Sequence, residues 1–156
     1  MDLVIRPARP DDRPALIEFN RALQEAERSM HPSRLPGNEV AAFAYQRLLD
    51  QHAEILIAEA GGKPVGFVSG WIAEDDDPLQ TGEWRRHGYI SDIFVASEWR
   101  RKRVAQTLLD AIAARLESLG AKRLRICALA CNSAAIESFK RFGFQPFEVT
   151  FDRALD

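Results

Sequence analysis

Four consecutive cations, Arg100-Arg101-Lys102-Arg103, stand between two strongly patterned segments. Ahead of them, Tyr89, Ile90, Ile93, Phe94 and Val95 are aromatic and β-branched residues that favour a strand. Behind them, Val104, Leu108, Ile112 and Leu116 recur at helical spacing; Leu109 and Leu119 widen the stripe, and Gly120 marks its end. A strand therefore runs into a basic turn and then into the first turn of a helix. The leading amides of a helix have no partner within it, and the helix dipole places partial positive charge at the same end. A phosphate seated there accepts those hydrogen bonds, with four side-chain cations close by. The junction admits two readings, a phosphate site or a solvated turn that happens to be basic.

The elements that must hold this junction follow from the rest of the chain. Leu3 to Arg6 reads as a short strand, Leu3 and Ile5 opposed to Val4 and Arg6, stopped by Pro7 and Pro10. Asp11 or Asp12 caps a helix with Pro14 in its first turn, and Ala15, Leu16, Phe19 and Leu23 carry it to about Ser29. A proline-rich loop at 31–37 precedes a second helix, capped by Asn38 and running through Phe43, Leu48 and Leu49 to Gln51. Residues 54–60 and 64–72 are strands around a Gly61-Gly62 hairpin turn, with Val65, Phe67 and Ser69 on one face. A polar connection from Glu74 to about Arg86 leads into the strand at 89–95. Beyond the long helix, Leu124, Ile126 and Ala128 alternate as a strand. Asn132 or Ser133 opens a helix closed by Gly143, and Phe147, Val149 and Phe151 share one face of a last strand. The order β-α-α-β-β-β-α-β-α-β describes an α+β protein, a mixed α/β sandwich with helices against a central sheet. It lacks the regular βαβα alternation and the glycine fingerprint of a dinucleotide fold.

The 156 residues, 46% hydrophobic and 28% charged, suit a single globular domain over 1–156. No apolar run approaches the ~20 residues of a membrane helix, and the N-terminus has no basic-then-apolar leader. Cys127 and Cys131 make no disulfide framework and suit a reducing cytoplasm. With three scattered histidines they do not assemble a zinc set, so no metal is expected. The formal charge of −2 and the lack of a wide basic face around 100–103 argue against a nucleic-acid partner.

Three segments, in this order and over nearly the whole chain, resemble the GNAT superfamily of acetyl-CoA-dependent N-acetyltransferases. Ile5-Arg6-Pro7-Ala8 followed by Asp11 or Asp12 is similar to that family's first strand and helix. Gly88-Tyr89-Ile90-Ser91-Asp92-Ile93-Phe94-Val95 is similar to its central fourth strand. Asn132-x-x-Ala135-Ile136-x-x-Phe139-x-x-Phe142-Gly143-Phe144 is similar to its last helix. The resemblance implies a mostly antiparallel sheet whose fourth and fifth strands splay apart, flanked by about four helices. It implies acetyl-CoA as co-substrate, with its pyrophosphate on the loop of Arg100, Arg101, Lys102, Arg103, Val104 and Ala105. The pantetheine arm would lie along Ile93, Phe94 and Val95, and Asn132 and Phe139 would border the thioester. The implied reaction is direct attack by a primary amine of a small molecule or peptide, with no acyl-enzyme. Neither nucleic acid nor membrane is an expected partner, and the chain is expected to act as a monomer or homodimer. The alternative is a catalytically impaired module that keeps the fold for CoA binding or protein interaction.

Two departures from the family pattern matter. The loop pattern is Arg or Gln, two residues, Gly, one residue, then Gly or Ala; Arg100 and Ala105 fit, but Arg103 replaces the inner glycine. A left-handed backbone there would cost arginine about 1 kcal/mol, tenfold or less in affinity. Phe139 stands where many members carry a tyrosine as general acid. A thiolate, with a thiol pKa of about 8.5, leaves without much help, whereas only about one in 10³ alkylamine molecules is unprotonated at pH 7. A base therefore matters more than an acid. Asp92 is the first candidate, directly or through a water, and Glu74 and His87 follow. Asp92 reads equally as a structural carboxylate, and His87 as a surface histidine in a polar connection. Tyr89 and Ser138 are hydroxyls able to replace the missing acid, and each reads more simply as a strand aromatic and a helix-face serine. Cys127 and Cys131 read as buried structural cysteines, since nothing spaced to them activates a thiol. The acidic run from Glu74 to Asp77, with Glu83, suits a cationic acceptor or, more simply, solvated surface; Arg85 and Arg86 beside it favour the second.

Overall fold

The computed structural model describes residues 2–155. Among these, alternating apolar residues assemble five strands: β1 (Leu3–Pro7), β2 (Glu54–Ala60), β3 (Lys63–Glu74), β4 (Arg86–Val95) and β5 (Leu124–Ile126). The strands form one sheet in the order β1-β2-β3-β4-β5. The first three pairings are antiparallel and β4 with β5 is parallel. Gly61 and Gly62 both take positive φ in the tight turn between β2 and β3, which a side chain would resist.

Five α-helices flank the sheet: α1 (Arg13–Met30), α2 (Gly37–Asp50), the single turn α3 (Gly82–Arg85), α4 (Val104–Ser118) and α5 (Ser133–Arg141). The stripe of α4 does what its spacing demands. Val104, Leu108, Leu109, Ile112 and Leu116 are buried against Leu56, Val68 and Ile90 on one face of the sheet. Leu119 falls past the end of the helix and is largely exposed. The opposite face is covered by α1 and α2, where Leu16, Tyr45 and Leu48 pack on Ile57 and Phe67. In α2 the buried set is Ala41, Tyr45 and Leu48, so Phe43 and Leu49 point outward. That helix starts at Gly37 behind Pro36, one residue before the expected Asn38 cap. Gly37 sits so tightly on α1 that a Cβ would fall 2.3 Å from the Arg21 carbonyl oxygen.

At the start of α1, Asp12 ties three elements together. It accepts the Arg9 N–H at 2.7 Å and both ends of the Arg6 guanidinium, and Arg6 also reaches Glu59 on β2. The Arg6 partner holds the Asp12 carboxyl below its ordinary range.

Two parts of the sheet depart from simple alternation. Ala58 faces Gly66 and Glu59 faces Pro64, leaving Val65 as an extra residue in β3. This β-bulge shifts the phase of the strand. Val65 and Val68 pack under α4, whereas Phe67 packs on the α1/α2 side, so Val65, Phe67 and Ser69 do not share one face. The expected last strand at 147–151 is absent. Residues 147–151 pair with no strand of the sheet, which ends at β5. Phe147 instead stacks on Trp84 at 5.3 Å, while Val149 and Phe151 are exposed. The same aromatic pair orders the polar connection: Arg123 lies 3.4 Å from the Trp84 ring centre and Arg125 lies 4.3 Å from that of Phe147.

Candidate active site

β4 and β5 pair only between Gly88–Ile90 and Leu124–Ile126; beyond these residues the two strands part. The far half of β4 therefore has no ladder partner on its β5 side, which is the splay the family resemblance implied. The strand ends in a tight turn at Ser97–Trp99, and the basic run follows with Arg101 at φ 59° and Arg103 at φ 63°. Left-handed backbone at two arginines costs of order 1 kcal/mol each. It also fans successive N–H groups outward. Among the described residues, the N–H groups of Arg101 to Ala105 donate to no other protein group. Two of the four cations brace the turn: Arg100 Nε donates to the Val95 carbonyl at 3.1 Å, and Lys102 lies 4.7 Å over the Trp99 ring. Arg101 and Arg103 are exposed.

Ile93 and Val95 pack under α4, while Phe94 turns to the opposite face against Phe19 at 5.1 Å. Asn132 caps α5, its side-chain oxygen accepting the Ala135 N–H at 3.2 Å. Phe139 meets Phe144 edge to face at 6.1 Å and brings no proton donor.

On the α1/α2 side a cleft of about 360 Å³ lies against β4 and the segment after β5. A second bulge builds it. Ser69 pairs with Asp92 and Gly70 with Ile90, so Ser91 is the extra residue. Ile90 remains under α4, yet Tyr89, Ser91 and Asp92 all line the cleft. Asp92 Oδ2 accepts the Ser69 hydroxyl at 3.1 Å and the Ser91 hydroxyl at 2.7 Å. Arg47 of α2 donates to Ser91 Oγ at 3.1 Å. Tyr89 meets Trp71 edge to face at 5.2 Å. Burial pushes its phenol above the ordinary 10, the adjacent Cys127 thiol adds to that, and Arg47 opposes it. Tyr89 is thus a protonated phenol in the same cleft as a carboxylate.

The remaining candidates lie elsewhere. Glu74 is mostly exposed beside Arg85, 3.7 Å away. His87 is buried rather than on the surface, because β4 begins at Arg86 and takes it into the sheet; its Nδ1–H donates to the Arg85 carbonyl at 3.0 Å. Ser138 sits on α5 outside the cleft. Cys127 and Cys131 are both exposed, since β5 stops at Ile126 and leaves them beyond the sheet; Cys127 lines the cleft. Part of the acidic run is spent on arginines, Asp75 on Arg125 and Glu83 on Arg123, and Asp77 accepts the Leu79 N–H at 2.9 Å. The sequence alone did not single out Glu27, Arg34 or Arg47 as cleft residues, nor expect Phe43 to line it. They come from α1, the following loop and α2, and only the second bulge brings β4 to meet them. A larger cleft of about 790 Å³ beside α4 and α5 shares no residue with this one and contains none of residues 92–105.

The splayed sheet agrees with the fold of known proteins. A relative described as an N-alpha-acetyltransferase of Saccharolobus solfataricus is 25% identical over 150 residues, 95% of this chain and 83% of that protein. An uncharacterized N-acetyltransferase of Methanocaldococcus jannaschii is 31% identical over 94 residues, 60% of this chain but 40% of that protein. The fold superposes with a TM-score of 0.74 on a predicted acetyltransferase of Clostridium acetobutylicum solved with acetyl-CoA, at 18% identity and covering 98% of this chain and 96% of that one. Residues 17–144 match the family described as the acetyltransferase (GNAT) family, and the chain belongs to it.

Proposed function

We propose that this protein, acting as one domain, is an N-acetyltransferase that moves the acetyl group of acetyl-CoA to a primary amine by direct attack. The observation that carries this is the row of unused N–H groups at Arg101 to Ala105 beside the opened edge of β4. Free amides at a helix start suit a pyrophosphate, and main-chain groups freed on the far half of β4 suit the amide-bearing pantetheine arm. Acetyl-CoA, which the Clostridium acetobutylicum neighbour holds, supplies the activated acyl group. Arg101 and Arg103 add positive charge for the phosphates. Asn132 and the Phe139 region border the thioester end.

Asp92 acts as the base. The amine nitrogen bonds to the acetyl carbon as the carbon–sulfur bond breaks, and the nitrogen's proton passes to Asp92, directly or through a water. Two serine hydroxyls hold the Asp92 carboxylate toward the cleft. The departing sulfur takes its proton from Tyr89, whose phenol stays protonated at neutral pH. This answers the loss of a donor at Phe139. Calorimetric titration with acetyl-CoA, followed by a free-thiol assay over an amine panel, tests the reading. Saturable binding and thiol release are expected. An absence of binding at millimolar acetyl-CoA would overturn it.

A further inference from the structure

Two carboxylates and two guanidiniums face the acceptor cleft, and both carboxylates are engaged. Glu27 lies 3.2 Å from Arg34, and Asp92 holds two serine hydroxyls. The two guanidiniums differ. Arg34 is the ion-pair partner of Glu27, its Nε 3.2 Å from Oε2. Arg47 donates to the Ser91 hydroxyl and, among the described residues, has no carboxylate within ion-pair distance. A guanidinium is always charged, and its planar fork matches a carboxylate.

We infer that the acceptor carries its own carboxylate beside the amine, and that Arg47 binds it; the inference rests on the transferase reading above. Ser91 Oγ bridges Arg47 Nη2 at 3.1 Å and Asp92 Oδ2 at 2.7 Å. One hydroxyl thus separates the anion site from the proton acceptor. That short span fits the amine and carboxylate on a single α-carbon. Leu23, Val40 and Phe43 supply an apolar wall for a side chain. The class is therefore a free α-amino acid with an apolar side chain. A polyamine brings no carboxylate and would leave the Arg47 guanidinium without an anionic partner, which selects against it.

The test compares L-phenylalanine, L-leucine and L-methionine with their amides, 2-phenylethylamine, spermidine and the peptide Phe-Ala-Ala-Ala in the thiol-release assay. Rates are compared at equal concentrations of unprotonated amine, because the acids and amides differ in amine pKa. The free acids are expected to exceed their amides and the peptide in kcat/KM by about tenfold or more, chiefly through KM. Arg47→Gln brings the acid-to-amide ratio to within about threefold, and Arg47→Lys, which keeps the charge, retains a preference for the acid. Equal use of amides, peptide or spermidine by the unaltered protein overturns the assignment, as does a ratio that Arg47→Gln leaves unmoved. If no amine releases thiol although acetyl-CoA binds saturably, it is the transferase reading that fails, and the carboxylate assignment falls with it.

Discussion

On the transferase reading, the turn at residues 100–105 and the cleft around Asp92 would recognise their ligands by different means. In the turn, the groups on offer are main-chain N–H donors, presented by two left-handed residues and the start of α4. In the cleft they are side chains from α1, the loop after it, α2, β4 and the segment after β5, with Arg47 and Asp92 held by serine hydroxyls. Main-chain recognition depends on backbone shape and tolerates exchange of side chains. Side-chain recognition does not. The first therefore permits departures such as Arg103 in a position the family pattern fills with glycine, and the second would set which acceptor is used.

That contrast is open to direct attack, the largest effect coming first. Asp92→Asn keeps the shape of the cleft but removes the base, and we expect turnover to fall by about 10²–10⁴. The acetyl-CoA affinity, read by calorimetry, should stay within about threefold; a large loss would mean that the two sides are not separate. Ala105→Pro deletes one N–H at the second position of α4, where proline is tolerated, as Pro14 is at the same position in α1. It should weaken acetyl-CoA by about 10–100-fold, because a hydrogen bond to a charged group is lost, with the melting temperature nearly unchanged. Unaltered affinity would break the main-chain half of the comparison.

Tyr89→Phe should lower turnover by about tenfold and sharpen the cleft half. The unaltered phenol donates while protonated, and burial holds its pKa above 10, so the rate should hold to about pH 10 and decline only beyond it. The variant should lose that alkaline limb. A rate still limited there by the same group would reject Tyr89 as the proton source.

A smaller effect belongs to the frame that both sides share. The Asp12 carboxyl titrates below its ordinary 3.8 because Arg6 grips the charged form. Its contribution is therefore complete above about pH 4 and is lost as pH falls through the lowered value. Asp12→Asn should cost about 1–2 kcal/mol in urea unfolding at pH 7, with the difference shrinking toward pH 2. A constant difference would assign the loss to packing. Arg103→Gly should be the mildest change: relief of left-handed strain stabilises by up to about 1 kcal/mol. Removing one cation should weaken acetyl-CoA by no more than about threefold. A gain in affinity would show the arginine side chain to be an obstruction.

The same contrast explains what could be read from the sequence. The turn was legible because its parts are consecutive: a β-rich run, four cations and an apolar stripe from Val104 to Leu116. The helical and strand periods located β1 to β5 and the four longer helices, because burial on one face imposes them. Three things escaped. The cleft residues Glu27, Arg34 and Arg47 are remote in sequence, and nothing in a local period marks a charged side chain as facing inward. Alternation puts Val65 on the face of Phe67 because it presumes an unbroken ladder, and the bulge breaks it. Residues 147–151 alternate well but lack a partner, so their pattern has nothing to act on.

Ser91 carries one consequence of its own. In β4 the odd-numbered Tyr89 and the even-numbered Asp92 look the same way, while Ile90 and Ile93 look the other. Inside and outside change parity between them. Deleting Ser91 would restore plain alternation, with Tyr89 and Asp92 still toward the cleft and Ile90 and Ile93 still under α4. What would vanish is the hydroxyl between Arg47 and Asp92, so the residue the ladder can spare is the one that links the two charges of the cleft.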